Sequence, residues 1–300
     1  MPSSPRICGL MLAYFKADMT LKCLRTLAGQ GIETIMLVDN SHCPEEHQRT
    51  LQLVQHFPKG WLKVVIAEDN LGFAKGMNLA LDHARQLGEW DYFLLLNNDI
   101  TAKPDLVSQL VEYMQQQANI MLLGVHADAG DHLQGKLYYQ RLTGLMFTKP
   151  TLGSFPVVPG YCVLIQPTAI SDHLFDPRYF MYGEDVELSW RMLQQGKKIA
   201  ILPKPLLAHK SAQSSGEASL FYEYHINRGH WLIVQALGHN HVERIIMYTL
   251  RLLLLSARAV LRSWRFRSMT PLKALLMSGL RLPIRPVLTV KPHEKTYTVA

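Results

Sequence analysis

The sequence predicts an α/β fold, a mostly parallel sheet flanked by helices with a basic amphipathic helical tail behind it, on three observations. Strand and helix signals alternate through the body of the chain, as in parallel sheets with right-handed crossovers. Three successive strands hand over to clusters of Asp and Asn. The 300 residues, 48% of them hydrophobic, leave ample material for a core.

The first strand runs from Ile7 to Phe15, and Leu21, Leu24 and Leu27 then repeat at helical spacing until Gly29 and Gly31 end the helix. TIMLV, Thr34 to Val38, is the second strand and leads into Asp39-Asn40-Ser41. LKVVIA from Leu62 is the third, followed by Glu68-Asp69-Asn70 and a helix begun by LGFAKGMNLALDHARQLG. Tyr92 to Leu96 is the fourth, ending in Asn97-Asn98-Asp99. A helix follows Pro104 to about Gln117, and the stretch from Ile120 to Gln166 is strand-rich and irregular, with VVPGYCVLIQP as a buried strand and turn. Val186, Trp190 and Leu193 put one apolar face on a further helix, from whose first turn Glu184 and Asp185 project. The last strand, IAILP, leads to AHKSAQSSG.

One polar strand end is ordinary turn chemistry, because Asn and Asp bond their own backbone. Three on one carboxyl edge, where open α/β sheets bind ligands, point to a polar ligand with a nucleotide first in line. Acids in a first helical turn are favoured by the unpaired amides alone. That does not account for the aromatic approach of Tyr179, Phe180 and Tyr182, nor for Gly183, which allows a close turn.

Composition narrows the function classes. No basic region precedes the first apolar run, so a cytoplasmic start is expected, and Cys8, Cys23, Cys43 and Cys162 form no CxxC pair and read as free thiols. The net charge of +7 is uneven: from Val242 onward eleven Lys and Arg meet only Glu243 and Glu294, a net of +9, which leaves −2 for the body. The expected division is a catalytic body over 1–241, its nucleotide half about 1–103 and its acceptor half about 104–241, and a basic tail over 242–300.

VDNS, NLGFAKGMN, LLLNNDI, FMYGEDVELSWRM, GKKIAILP and HKSAQSSG, in that order, resemble the inverting family 2 glycosyltransferases of GT-A (Rossmann-like) fold. The resemblance spans roughly Ile7 to Trp231 and is strongest to the bacterial branch that builds surface polysaccharides, rhamnosyltransferases included. It implies a nucleotide-diphosphate sugar donor, dTDP-rhamnose or a UDP-sugar favoured, and a glycan or lipid-linked acceptor. Donor contacts would fall on Tyr14, Asp39, Asn70, Gly72, Asn78 and Asn98, and a divalent metal, Mn²⁺ or Mg²⁺, on Asp99 and His209. Asp185 would be the general base and Glu184 its partner in orienting the acceptor. The chain departs from the family's pattern at Asn97, where an acid is common, and at Tyr14-Phe15, where Tyr-Asn is usual. The Asn97 departure leaves open a non-catalytic partner that binds sugar nucleotide or polysaccharide. A nucleotidyltransferase would need a glycine-rich loop that LAYFKADMT lacks.

In the tail, arginines 244, 251, 258, 262 and 265 fall within a sector of about 60° on a helix turning about 100° per residue. Ile246, Leu250, Leu253, Ala257, Val260 and Trp264 lie opposite. Arg251 and Arg258 interrupt the apolar run, which argues against a span and for an interfacial helix whose basic residues meet anionic lipid at the inner face of the cell membrane. Packing of the apolar face on the body or on a second subunit, as in a homodimer, is the alternative. Basic charge without a recognised fold or stacking pattern gives no case for nucleic acid.

Overall fold

The computed structural model describes residues 4–117, 119–128, 133–135, 137–209 and 219–282. In chain order its elements are β1 (Ile7–Ala13), α1 (Ala17–Leu27), β2 (Thr34–Asp39), α2 (Pro44–Gln52), β3 (Leu62–Ile66), α3 (Gly72–Gln86), β4 (Tyr92–Asn97), β5 (Ile100–Ala102), α4 (Leu106–Gln116) and β6 (Ile120–Asp128). There follow β7 (Leu133–Gln134), β8 (Leu137–Gln140), β9 (Met146–Phe147), β10 (Ser154–Val157), β11 (Cys162–Ile165), α5 (Glu184–Gln194), β12 (Lys198–His209), α6 (Leu220–Leu237), α7 (His241–Phe266) and α8 (Thr270–Gly279).

The main sheet runs β3-β2-β1-β4-β11-β6-β12-β5, with β7 beside β6, and β10-β8-β9 make a small second sheet. β1 to β4 are mutually parallel, as the alternation of signals requires, whereas β11 enters antiparallel between β4 and β6. The interior strands are buried on both faces, which is why they read as continuous apolar runs. Cys8, Leu10, Met36 and Val38 meet α3, α5 and α6 on one side, and Ile7, Met11, Ile35 and Leu37 meet α1 and α4 on the other. The parallel register puts Asp39 beside Ala13 and Asn97 beside Leu12, so the polar strand ends do share one edge.

Two boundaries differ from expectation. β1 stops at Ala13 because Phe15 and Lys16 take left-handed backbone, φ 55° and 62°, to turn into α1. α2, whose mean hydropathy is low, was not expected; Pro44 at its first position starts it, and the buried Glu46 accepts the Ala17 N–H at 2.7 Å, tying it to α1.

The tail folds back on the body, with a reversal of the expected faces. Arg251 is fully buried: Nη1 donates to Tyr139 Oη at 2.7 Å and Nη2 to the Arg141 carbonyl at 2.9 Å. Arg258 and Arg262 pair with the buried Glu223 of α6 at 2.6 and 2.5 Å. These three arginines of the basic stripe therefore cannot meet lipid; they clamp α7 to α6 while the apolar side faces out. No helix of the described residues is long and apolar enough to cross a membrane.

Candidate active site

The carboxyl edge holds a bonded set of polar groups. Asp39, fully buried, accepts Ser41 N and Oγ at 2.9 and 2.5 Å on Oδ1 and keeps Oδ2 without a hydrogen bond. Asn40 donates to Asn70 Oδ1 at 3.0 Å and accepts the Leu71 N–H at 2.8 Å, and Asn70 Oδ1 also takes the Gly72 N–H at 3.0 Å. Tyr14 stands over this set with its hydroxyl hydrogen-bonded to Asn70; partial burial pushes that hydroxyl above the ordinary tyrosine range, against the pull of the bond. The result is a rigid floor with one unsatisfied acid facing it.

The acid pair sits on a turn held from both sides by missing side chains. Tyr182 and Gly183 have φ of 67° and 99° and lead directly into Glu184 at the start of α5. On one side Gly72, φ 72°, lies so close to Phe180 that an added Cβ would overlap its carbonyl oxygen, and Phe73 N–H donates to that oxygen at 2.6 Å. On the other side Gly229 of α6 lies equally close to the Tyr182 carbonyl oxygen. Glycine is needed at both places, for the approach of a backbone rather than for local flexibility.

Burial raises both carboxyl groups. Glu184 is pushed up to about 8, first by desolvation and then by the charge of Asp185, and its Oε2 has no hydrogen bond. Asp185 is raised by desolvation, opposed by backbone hydrogen bonds at Val186 and Gly160. A carboxylate made more basic in this way is suited to taking a proton near neutral pH.

Asp99 and His209 meet at the same edge, from the turn after β4 and the end of β12. His209 Nε2 is 3.3 Å from Asp99 Oδ1, both side chains are nearly buried (11% and 13% exposed), and Asp99 Oδ1 has no hydrogen bond. A carboxylate beside an imidazole, with an acceptor atom left over, fits a divalent cation. Among the described residues no group of three or more His, Cys, Asp or Glu could hold one alone, so phosphate and water would complete its coordination. One dipeptide links this pair to the acids. The Gly160 backbone hydrogen-bonds Asp185, and next to it Tyr161 stacks on His209 at 4.9 Å and accepts the Asn97 N–H at 2.9 Å.

A family model, "Glycosyl transferase family 2", matches residues 10–174, more than half of the chain. The chain belongs to glycosyl transferase family 2. No curated protein matches it in sequence. Among solved structures, a mannosyltransferase from Pyrobaculum calidifontis in complex with GDP-Man and Mn²⁺ superposes with a TM-score of 0.59 at 10% identity, covering 93% of this chain and 87% of that one. Glucosyl-3-phosphoglycerate synthase from Mycobacterium tuberculosis gives 0.54 at 14% identity, over 79% and 81%. TarS 1-349 from S. aureus gives 0.53 at 16%, over 82% and 70%. At these identities the likeness concerns the fold, which is that of GT-A glycosyltransferases.

Within this family 2 glycosyltransferase the anticipated residues divide. Asp39, Asn70 and Tyr14 share one face of the edge, and Asp99 meets His209. Three others have neighbours of their own. Asn78 bonds the backbone of Leu174 and Phe175 through both ends of its amide, at 3.0, 3.0 and 2.7 Å. Asn98 donates to Thr20 Oγ1 at 2.9 Å, and Gly72 is filled by Phe180. These hold the site together from behind. Lys210 to Gly216, the rest of the HKSAQSSG motif, lie outside the described residues. Gly160, Tyr161 and Gly229 join the site only in the folded structure. The Pro159-Gly160 turn was a usable signal for the first two, but a glycine inside a helical pattern such as Gly229 carries none.

Proposed function

We propose that the protein transfers a sugar from a nucleotide-diphosphate donor to a hydroxyl of a glycan or lipid-linked acceptor in cell-surface polysaccharide synthesis, inverting the anomeric carbon. A dTDP-rhamnose or UDP-sugar donor and action at the cytoplasmic membrane face are part of this reading. The arrangement that supports it is the Gly160-Tyr161 link, which holds a desolvated carboxyl pair on one side and a carboxylate-imidazole pair on the other.

In this mechanism Asp185 accepts the proton of the acceptor hydroxyl as its oxygen attacks the anomeric carbon. The bond to the diphosphate breaks, and the diphosphate departs with the electron pair. Glu184 orients the acceptor beside Asp185, whose own burial makes it the more basic. Asp39 Oδ2 takes a hydrogen bond from the nucleotide base, with Tyr14 and Asn70 beside it. Asp99 and His209 hold the divalent metal, which when bound offsets charge developing on the leaving diphosphate. Asn97 in place of an acid would leave a metal held there with one protein charge fewer, so that the diphosphate would supply more of its binding.

Thermal unfolding with dTDP, UDP and GDP, each with Mn²⁺, Mg²⁺ or chelator, tests the donor site. A nucleotide at about 100 times its dissociation constant stabilises by about 2.7 kcal/mol. A metal-dependent shift with one nucleotide is expected; no shift with any of them would overturn the reading.

A further inference from the structure

The side of α7 that faces away from the protein has a composition that the folded body does not use. Between Val242 and Trp264 the charged residues are Glu243, Arg244, Arg251, Arg258 and Arg262. All five are bonded inward: Glu243 to Arg141, Arg244 to the Gly238 carbonyl at 3.1 Å, and the others as described above. What remains outside is uncharged and mostly apolar, including Ile245, Leu252, Leu253 (64% exposed), Val260, Leu261 and Trp264 (82% exposed). A helix rises about 1.5 Å per residue, so this uncharged strip is about 30 Å long. Leu276 of α8 and Leu280 just after it are also exposed. Strips of this extent are rare on monomer surfaces and mark interaction sites.

Charge identifies the occupant. Arg265, Arg267, Lys273 and Arg281, on α7 and α8 and at their C-terminal ends, are exposed. The only acid among the described residues of α7 and α8 is Glu243, already paired. The sequence beyond, to Ala300, adds three Lys or Arg against one Glu. A second copy of the same face would bury the apolar strip but bring no anion to these cations. A surface that is apolar beneath and anionic above satisfies both. Since no described helix can cross a bilayer, the helix must lie in its plane.

We propose that the outward face of α7 and α8 inserts into the interface of an anionic bilayer, the apolar strip below the headgroups and Arg265, Arg267, Lys273 and Arg281 among them. This binding is mainly hydrophobic, and the buried arginine stripe takes no part in it. It also bears on the acceptor. α6 carries Glu223, which pairs with α7, and Trp231, which donates to Ser278 of α8 at 3.1 Å, as well as Gly229, against which the acid-pair turn packs. The membrane face and the proposed acceptor side therefore rest on one helix.

The test is co-sedimentation of the full chain, without donor or acceptor, with phosphatidylcholine vesicles containing about 30% phosphatidylglycerol, at low and high salt. Its outcome is independent of the sugar chemistry. Wild type is expected to bind and to retain much of its binding at high salt. Leu253→Glu, at an exposed position, should bind at least about tenfold more weakly with an unchanged melting temperature and an unchanged size by sedimentation velocity. Absence of wild-type binding would overturn the proposal, as would equal binding by Leu253→Glu or complete release of the wild type by salt. A wild-type dimer that Leu253→Glu converts to monomer would assign the face to a second copy instead.

Discussion

Gly229→Ala sets two opposing energies against each other at a single methyl group. In an open helix the change is favourable by about 1 kcal/mol, because alanine is the better helix former. Gly229 is not open. Its added Cβ would overlap the Tyr182 carbonyl oxygen and lie 3.2 Å from the Tyr182 carbonyl carbon, and these are backbone atoms that no rotamer change can move. Overpacking of this kind costs about 1–3 kcal/mol, so the expected net is a loss of up to about 2 kcal/mol, or up to roughly 8 °C in melting temperature. Gly279→Ala is the matched control, since nothing lies within 4 Å of its Cβ position at the end of α8. It should leave the melting temperature unchanged or raise it slightly. The turn displaced by Gly229→Ala carries Glu184 and Asp185, so the same variant should lose transfer rate while keeping its nucleotide-induced thermal shift. If both alanine variants raise the melting temperature, α6 does not approach the acid-pair turn as described, and the positioning argument fails.

Glu223→Gln leaves Arg258 and Arg262 without their shared carboxylate. Breaking a buried pair costs about 3–5 kcal/mol, and because both arginines keep some access to water the lower end is expected, read from urea midpoints; a loss near zero would show that α7 is not clamped through this residue. Asp185→Asn should lower the transfer rate by about 10²- to 10⁴-fold with the nucleotide thermal shift intact, and near-full activity would remove the base assignment. The folded protein holds the Glu184 proton up to about pH 8, whereas its ordinary value is 4.5. Between these values the folded state binds more protons than the unfolded one, so stability falls as pH rises across that window and levels off above it, with Asp185 acting in the same direction. Glu184→Gln should flatten the fall in urea midpoints, and a slope unchanged from wild type would contradict the assigned burial.

What was legible in the sequence follows from which interactions are local. β2 and β4 could be read because interior parallel strands are apolar on both faces, and their shared polar edge follows from the register that crossovers impose. The acid pair stood out because a glycine, aromatics and an amphipathic helix flank it within a few residues. The resemblance puts Asn78 and Asn98 with the donor. In the structure the Asn78 amide bonds the Leu174–Phe175 backbone and the Asn98 amide nitrogen bonds Thr20, and such distant contacts leave no trace in spacing. The same limit hid Gly160 and Gly229, whose importance lies wholly in what packs against them.

α7 shows the limit most sharply. Its periodicity told that the helix has two faces, and the usual expectation is that the apolar one turns inward. Which face turns inward depends on what the body offers, and the body offers Glu223, the hydroxyl of Tyr139 and the carbonyls of Arg141, His230 and Gly238. A guanidinium without partners would be very costly to bury, but here Arg251, Arg258 and Arg262 find charged or carbonyl partners, as buried charge requires. The opposite orientation would leave Glu223 buried and unpaired, at a cost of about 3–5 kcal/mol. The fold matches the buried carboxylate on α6 and leaves an apolar strip in water. The area left exposed is then free energy that only a surface binding there can recover.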